Sequence, residues 1–204
     1  MTITIIIIVI TSIFSILAFR QTSLIYRYQL NPVQIFDRHQ YARLFLHAFL
    51  HANWTHLLIN MLVLYSFGEA LESYLQLNFG SRWIPYFLLF YFGAILISPI
   101  YSLVRNRKNY NYNAIGASGA VSAIVFATVF FNPWSNIYLF ALVPVPGIVF
   151  AILYLIYSWI MSRKSQDNIA HDTHFFGAIY GFLLPIILNP ELLAQFIRML
   201  TKSN

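Results

Sequence analysis

Ser118 is the hydroxyl group whose surroundings in the sequence could support nucleophilic chemistry. It lies in an apolar stretch, residues 113–131 (NAIGASGAVSAIVFATVFF), and stands between Gly116 and Gly119. Small residues at this spacing usually let membrane helices pack closely, so packing is the first interpretation. Nucleophilic attack by Ser118 is the alternative, and it requires partners from elsewhere in the chain.

A serine nucleophile needs a base within hydrogen-bonding distance. His174 is the candidate, because Gly177 and Gly181 follow it at i+3 and i+7 and let another helix approach the same face. Asp172 points away from this face, by about 160–200° around the helix. The residues therefore predict a dyad of Ser118 and His174 without an orienting carboxylate.

Acyl transfer also needs hydrogen-bond donors for the negative charge that develops on the carbonyl oxygen. His56 and Asn60 are four residues apart and share one helix face. We predict that these two side chains and the backbone N–H of Ser118 stabilise the oxyanion. Four glycines are expected to let the helices pack closely around the dyad: Gly116, Gly119, Gly177 and Gly181.

The composition indicates that these residues belong to a helical integral membrane protein. Of the 204 residues, 59% are hydrophobic and 9% are charged, whereas a soluble domain carries about 25% charged residues. The apolar runs are continuous and do not alternate with period two, which favours helices over a membrane barrel. The net charge of +6 comes from scattered basic residues, which suit a lipid bilayer surface better than nucleic acid.

Six apolar segments predict a single domain of six helices over residues 1–204. The first segment is expected to be a retained helix and not a signal peptide. Residues 20–53 are aromatic and apolar, so we expect them to lie, partly helical, at the membrane interface. Residues 136–146 contain two prolines and are not expected to form a straight helix. The predicted spans are residues 3–19, 54–72, 83–104, 118–131, 146–161 and 169–188.

Three motifs, in chain order, resemble those of the rhomboid intramembrane serine proteases. RLFLHAFLHANWTHLLINMLVLYSFGEALE is similar to the first loop and second helix of that family, with His56 at the start of H-x-x-x-N. GASGA matches G-x-S-G around Ser118, and HFFGAIYG matches H-x-x-G-x-x-x-G from His174. The similarity extends from Arg43 to Gly181.

The resemblance implies a fold and an activity. The fold would be an all-α, rhomboid-like bundle of six transmembrane helices with a first loop at the membrane interface, in the cell (inner) membrane. The activity would be a serine endopeptidase that needs no cofactor and cleaves transmembrane helices of other membrane proteins. Two positions differ from the family pattern. Ala42 precedes Arg43 where tryptophan is common, and Ser122 takes a position that is aromatic in some members.

Two other functions are alternatives. One is a catalytically inactive rhomboid-like protein that binds membrane proteins, against which the intact dyad argues. The other is a metal-dependent membrane enzyme, since His47 and His51 have a spacing found in metal ligands. The chain has no His-Glu-x-x-His motif, so we expect no metal site and hydrogen bonds from both histidines to backbone carbonyls. His171 is expected to face water at the mouth of the site, and the resemblance assigns Glu72 to a loop end.

A length estimate supports catalysis inside the membrane. A helix over residues 118–131 extends about 21 Å against about 30 Å of hydrocarbon, so Ser118 would lie roughly 9 Å below the nearer surface if the far end of the helix reaches the opposite one.

The basic residues and the family resemblance conflict on the membrane orientation. Nine of the twelve basic residues lie on the Ser118 side, and the positive-inside rule places that side in the cytoplasm. The resemblance implies an external site, and we follow it. The oligomeric state is left open.

Overall fold

The computed structural model describes residues 2–139, 142–164 and 170–201. Most of this part is helical, as expected for a chain whose lipid-facing backbone must satisfy its own hydrogen bonds. Short 3-10 turns cover His47–Phe49 and Gly80–Arg82, and a π-helical turn covers Leu89–Gly93. The α-helices are α1 (Ile3–Arg20), α2 (Ser23–Tyr28), α3 (Pro32–Phe36), α4 (Arg43–Leu46), α5 (Trp54–Phe79), α6 (Trp83–Leu88), α7 (Ala94–Ile97), α8 (Ile100–Arg105), α9 (Ser118–Phe131), α10 (Gly147–Lys164), α11 (His171–Leu188) and α12 (Glu191–Thr201).

The connection between α1 and α5 folds into three short helices and a 3-10 turn, so the prediction of a partly helical segment is confirmed. Asn31 anchors this connection. Its side-chain oxygen caps α3 by accepting from the Gln34 N–H (2.9 Å), and its amide donates to the carbonyls of Tyr110 and Tyr112 (3.1 Å each). These bonds attach the connection to the loop that precedes α9.

Helix α5 runs to Phe79, seven residues beyond the predicted end at residue 72. Glu72 therefore lies within the helix and not at its end. Its carboxylate is buried and accepts hydrogen bonds from the backbone N–H and the hydroxyl of Thr4, both at 2.7 Å. The helix ends at Gly80, whose φ of +55° suits glycine. The expectation that Glu72 holds a loop end is therefore wrong, since it holds the start of α1.

The third predicted span is helical but interrupted. It comprises α6, the π-helical turn, α7 and α8, and it ends at Arg105, one residue beyond the predicted end. The interruption lies at Ser98 and Pro99, because proline has no N–H to donate to the preceding turn.

Helix α9 has the predicted bounds and lies at the centre of the bundle. All of its residues except Ser118 and Thr128 are buried, and the core cluster joins it to α5 and α11. Its last residue is Phe131, and Asn132 caps it, at the Asn-Pro pair predicted to end this helix. A helix with small residues at its start and apolar residues on every face is expected in a membrane-protein core.

The segment that was not expected to be a straight helix forms an antiparallel hairpin. Strand β1 (Asn136–Leu139) pairs with β2 (Val143–Pro146). Helix α10 then runs to Lys164, three residues beyond the predicted end. Helix α11 begins at His171, and residue 169, where this span was predicted to begin, lies outside the described residues. A bend of 117° separates α11 from α12.

In the described part of the chain, three helical segments are long and apolar enough to cross a membrane. They are Ile3–Arg20, Trp54–Arg105 and Gly147–Lys164. The bent pair α11 and α12 would make a fourth, and α9 is a shorter apolar helix of 14 residues. The fold is a helical bundle with several membrane-spanning helices.

Candidate active site

Ser118 and His174 meet at the adjoining ends of two helices. Ser118 is the first residue of α9, and His174 lies in the first turn of α11. The Ser118 Oγ and the His174 Nε2 are 2.7 Å apart, and both residues are partly exposed. In the tautomer that carries its hydrogen on Nδ1, the imidazole accepts the hydroxyl proton. This geometry suits a serine activated by a base.

Two glycines of α11 bring its backbone against that of α9. A Cβ atom added at Gly177 would overlap the backbone carbonyl of Gly119, and one added at Gly181 would overlap that of Ala123. Side chains larger than hydrogen at these two positions would force the helices apart. The stripe that follows His174 therefore sets the separation of the helices that carry the dyad.

Gly116 lets a histidine approach the start of α9. Its φ is +121°, a conformation that favours glycine. A Cβ atom there would lie 2.9 Å from the Cε1 and 3.0 Å from the Nε2 of His56. The Gly116 N–H donates to the His47 carbonyl at 3.0 Å, which fixes this turn to the connection before α5. The His56 ring therefore lies against Gly116, which precedes Ser118 by two residues in the chain.

The proposed oxyanion donors differ in how they are placed. The first N–H groups of a helix have no intrahelical acceptor, so the Ser118 N–H is available. His56 lies beside this turn, as described above. Asn60 lies one turn further along α5 and is buried, and its amide donates to the His56 carbonyl at 2.9 Å. The amide nitrogen carries a second hydrogen that this bond does not use.

His51 supports His56 from the side of α1. Its Nδ1 is 2.9 Å from the Ser15 Oγ, and its ring meets the His56 ring edge-on with centroids 4.9 Å apart. Burial and the nearby charge of His56 lower the pKa of His51 to about 3. The expectation that this histidine bonds a backbone carbonyl is wrong, because α1 brings a hydroxyl to it.

His47 does bond a backbone carbonyl, as expected: its Nδ1 is 3.0 Å from the Arg43 oxygen. Burial lowers the pKa of His47 to about 4. Among the described residues, no group of three or more histidine, cysteine or acidic side chains is arranged to hold a metal ion.

The expectation that His171 faces water is wrong. Only 4% of the residue is exposed, because its ring packs edge-on against Tyr157 of α10 (5.6 Å between centroids) and against His174 (5.9 Å). Asp172 turns away from the dyad, as predicted. Its Oδ2 accepts a hydrogen bond from Ser102 of α8 at 2.6 Å.

Tyr154 of α10 was not identified from the sequence. Its hydroxyl is 2.7 Å from the Oγ of Ser122, one turn beyond Ser118. Its ring packs on Phe126, with centroids 5.5 Å apart. A serine deep in an apolar helix needs a hydrogen-bond partner, and this need was the signal that could have led to a tyrosine on a neighbouring helix.

Comparisons with known proteins give one family and two relatives. The family model described as "Rhomboid domain" matches residues 38–191. "RHOMBOID-like protein 12, mitochondrial" of Arabidopsis thaliana is 29% identical over 147 residues, which are 64% of this chain and 41% of the plant protein. "Putative rhomboid protease YdcA" of Bacillus subtilis (strain 168) is 31% identical over 148 residues, which are 72% of this chain and 67% of that protein. The chain therefore spans less than half the length of the plant relative.

Proposed function

Because this chain belongs to the rhomboid family, we propose that it is an intramembrane serine endopeptidase that uses Ser118 and His174. The observation that carries this proposal is the 2.7 Å separation of the Ser118 Oγ and the His174 Nε2. The substrates would be transmembrane helices of other membrane proteins, and no cofactor is required.

In the proposed reaction, the Ser118 Oγ attacks the carbonyl carbon of the scissile peptide while its proton passes to the His174 Nε2. The Ser118 N–H, the His56 ring and the second amide hydrogen of Asn60 donate to the oxyanion. His174 then gives the proton to the leaving amine, and the peptide C–N bond breaks. Water, deprotonated by His174, attacks the acyl-enzyme; the bond from the acyl carbon to the Ser118 Oγ then breaks, His174 returns the proton to this oxygen, and the carboxylate product leaves.

We further propose one domain with six membrane crossings. The helical stretch Trp54–Arg105 has 52 residues, about 78 Å at 1.5 Å per residue, so it would cross the membrane twice and turn at Gly80. Helix α9 would be a short crossing that leaves Ser118 below the surface. The connection over residues 20–53 would lie at the interface near the site. The protein would reside in the cell membrane with the site on its outer side.

The decisive experiment is cleavage of a model transmembrane substrate by the purified full-length protein and its Ser118→Ala and His174→Ala variants. Both variants should lose at least about a thousandfold in turnover. A serine-directed fluorophosphonate should label the wild-type protein and not Ser118→Ala. The matched control is Ser122→Ala, which removes a hydroxyl one turn away and should retain labelling. Wild-type turnover by Ser118→Ala would overturn the mechanism.

The alternative is a catalytically inactive rhomboid-like protein that binds membrane proteins. The placement of Asn60 favours it, because this side chain is buried and one of its two amide hydrogens is bonded to a carbonyl of its own helix. Wild-type protein that captures a transmembrane helix in a pull-down, but neither cleaves it nor reacts with the probe, would support this alternative.

A further inference from the structure

Arg43 is a buried cation in the connection between α1 and α5. It is 8% exposed. Its Nη1 donates to the carbonyls of Tyr26 (3.0 Å) and Gln29 (2.8 Å) at the end of α2, and its Nε donates to the Gln40 Oε1 (2.7 Å). These carbonyls lie at the negative end of the helix dipole and fix the orientation of the guanidinium.

The positive charge of Arg43 is not balanced by a carboxylate. Within the described residues, the ion pair of this region joins Asp37 to Arg107, at 3.5 Å, and no acidic side chain lies within ion-pair distance of Arg43. Burial lowers the pKa of Arg43, but an arginine stays protonated in proteins. A buried charge with only neutral partners is costly, and an anion would offset that cost.

Arg43 is one of the residues that line an open cleft. The Arg43 Nη2 has no hydrogen bond to a described residue. The cleft has a volume of about 410 Å³ and is lined by Arg27, Tyr28, Gln40, Ala42 and Arg43. Arg27 is exposed and lies over the Tyr28 ring, 5.5 Å from its centroid. Two guanidinium groups with neighbouring amide and phenol groups suit a phosphate.

We propose that this cleft binds the phosphate of a lipid headgroup. A lipid is favoured over free phosphate because the surrounding connection exposes aromatic side chains, with Tyr26 at 70% and Tyr41 at 57%. Such side chains are enriched at the level of the headgroups. The inference rests on the interfacial position proposed above for this connection and does not depend on peptidase activity.

A bound phosphate would stabilise the turn before the nucleophile. The Arg43 carbonyl is bonded to the His47 Nδ1 at 3.0 Å, and the His47 carbonyl accepts from the Gly116 N–H at 3.0 Å. This chain of bonds connects the cleft to the turn that begins α9. Occupancy by a lipid would therefore favour the conformation in which Ser118 meets His174.

The test is retention of phosphatidylglycerol by the full-length protein in phosphatidylcholine bilayers, read from the immobilised fraction of a spin-labelled lipid. Arg27→Gln should weaken retention about fivefold, the effect of about 1 kcal/mol for one arginine at the surface. Arg43→Lys keeps the charge but loses the planar fork, and it should also weaken retention. Arg38→Gln is the matched control, because it removes an exposed arginine of the same connection that does not line the cleft.

Equal retention by the wild-type protein, Arg27→Gln and Arg43→Lys would overturn the proposal. Binding of inorganic phosphate in detergent without selective retention of phosphatidylglycerol would overturn the lipid as the source of the phosphate. Cleavage of the model substrate is measured on the same samples. Wild-type protein that retains the lipid through Arg27 but does not cleave would contradict the peptidase proposal and support the lipid site.

Discussion

Helices α10 and α11 both pack against α9, but they do so through different kinds of contact. Helix α11 meets α9 backbone to backbone, at Gly177 and Gly181. Helix α10 meets it through side chains, both in an apolar cluster and in the hydroxyl pair of Tyr154 and Ser122. The distance between α11 and α9 is therefore set by glycines. Helix α10 is less buried, because only Gly147, Ala151 and Ser158 are buried along its whole length.

Because of this difference, we expect α11 to be held more rigidly against α9 than α10 is. His174, which is hydrogen-bonded to Ser118, lies on the backbone-packed side, where interiors deform least. Helix α10 lies on the other side and keeps apolar side chains such as Ile152 and Ile156 more than half exposed, as expected for a lipid-facing surface. We expect α10 to separate from α9 at a lower free-energy cost than α11, because local opening follows the number of buried contacts.

The largest predicted effect comes from breaking the tight side. Gly177→Ala places a methyl group against the Gly119 backbone, which cannot move out of the way as a side-chain end can. The resulting displacement of His174, by up to about 1 Å, should lower kcat/KM about a hundredfold. The free energy of unfolding should fall by about 1–3 kcal/mol. Cleavage assays and thermal unfolding measure these effects.

The control is Gly93→Ala, which adds the same methyl group against the hydroxyl end of the Tyr180 side chain. That side chain can rotate, so activity should stay within about tenfold of the wild type. Equal losses in the two variants would show that the contact between α9 and α11 has no special role.

The sequence predicted the tight side much better than the loose side. The bounds of α9 and the glycine stripe of α11 follow from residues within one helix, where spacing defines a face. The contacts of Tyr154, His51 and His171 depend on how separate helices rotate about one another, which local spacing does not determine. The burial of Glu72 was missed for the same reason, because its partner Thr4 lies 68 positions away along the chain.

A second prediction concerns the loss of stability at acidic pH. It tests whether the connection that holds Gly116 keeps His47 buried in the folded protein. The pKa of buried His47 is lowered from 6.5 to about 4. Between these values, falling pH protonates the unfolded chain and not the folded one, so the free energy of unfolding decreases as pH falls. The part of this loss that comes from His47 should reach at most about 3 kcal/mol.

His47→Asn, which can still donate to the Arg43 carbonyl, should make this decline in thermal unfolding midpoints less steep between neutral pH and about pH 4. Part of the decline should remain, because the pKa of buried His51 is also lowered, to about 3. The control is His39→Asn, an exposed histidine of the same connection, which should leave the slope unchanged. A decline as steep in His47→Asn as in the wild type would contradict the assignment.

A third prediction separates positioning from structure on the side of α1. The Ser15 hydroxyl donates to the Phe49 carbonyl at 2.9 Å, so its oxygen accepts from the His51 Nδ1–H. His51→Asn can keep this bond but loses the ring that contacts His56. We expect kcat to fall about tenfold with KM unchanged, as for an interaction made mainly in the transition state.

Two variants sharpen this test. His51→Ala loses both the ring and the bond to Ser15, and it should also lower the unfolding temperature. In a His56→Ala background, His51→Asn should have no further effect on kcat. A full additional loss there would mean that His51 does not act through His56.

The smallest predicted effect comes from loosening the side that is already loose. Tyr154→Phe removes one hydroxyl and should cost about 1 kcal/mol, so amide exchange should accelerate about fivefold within Gly147–Lys164 and stay unchanged in α11. Ser122→Ala removes the other hydroxyl of this pair and should cost a similar amount, while the double variant should cost less than the sum of the two. Equal acceleration of exchange in α10 and α11 would mean that the two helices open as one unit, and the contrast between backbone packing and side-chain packing would then have no consequence for how this bundle opens.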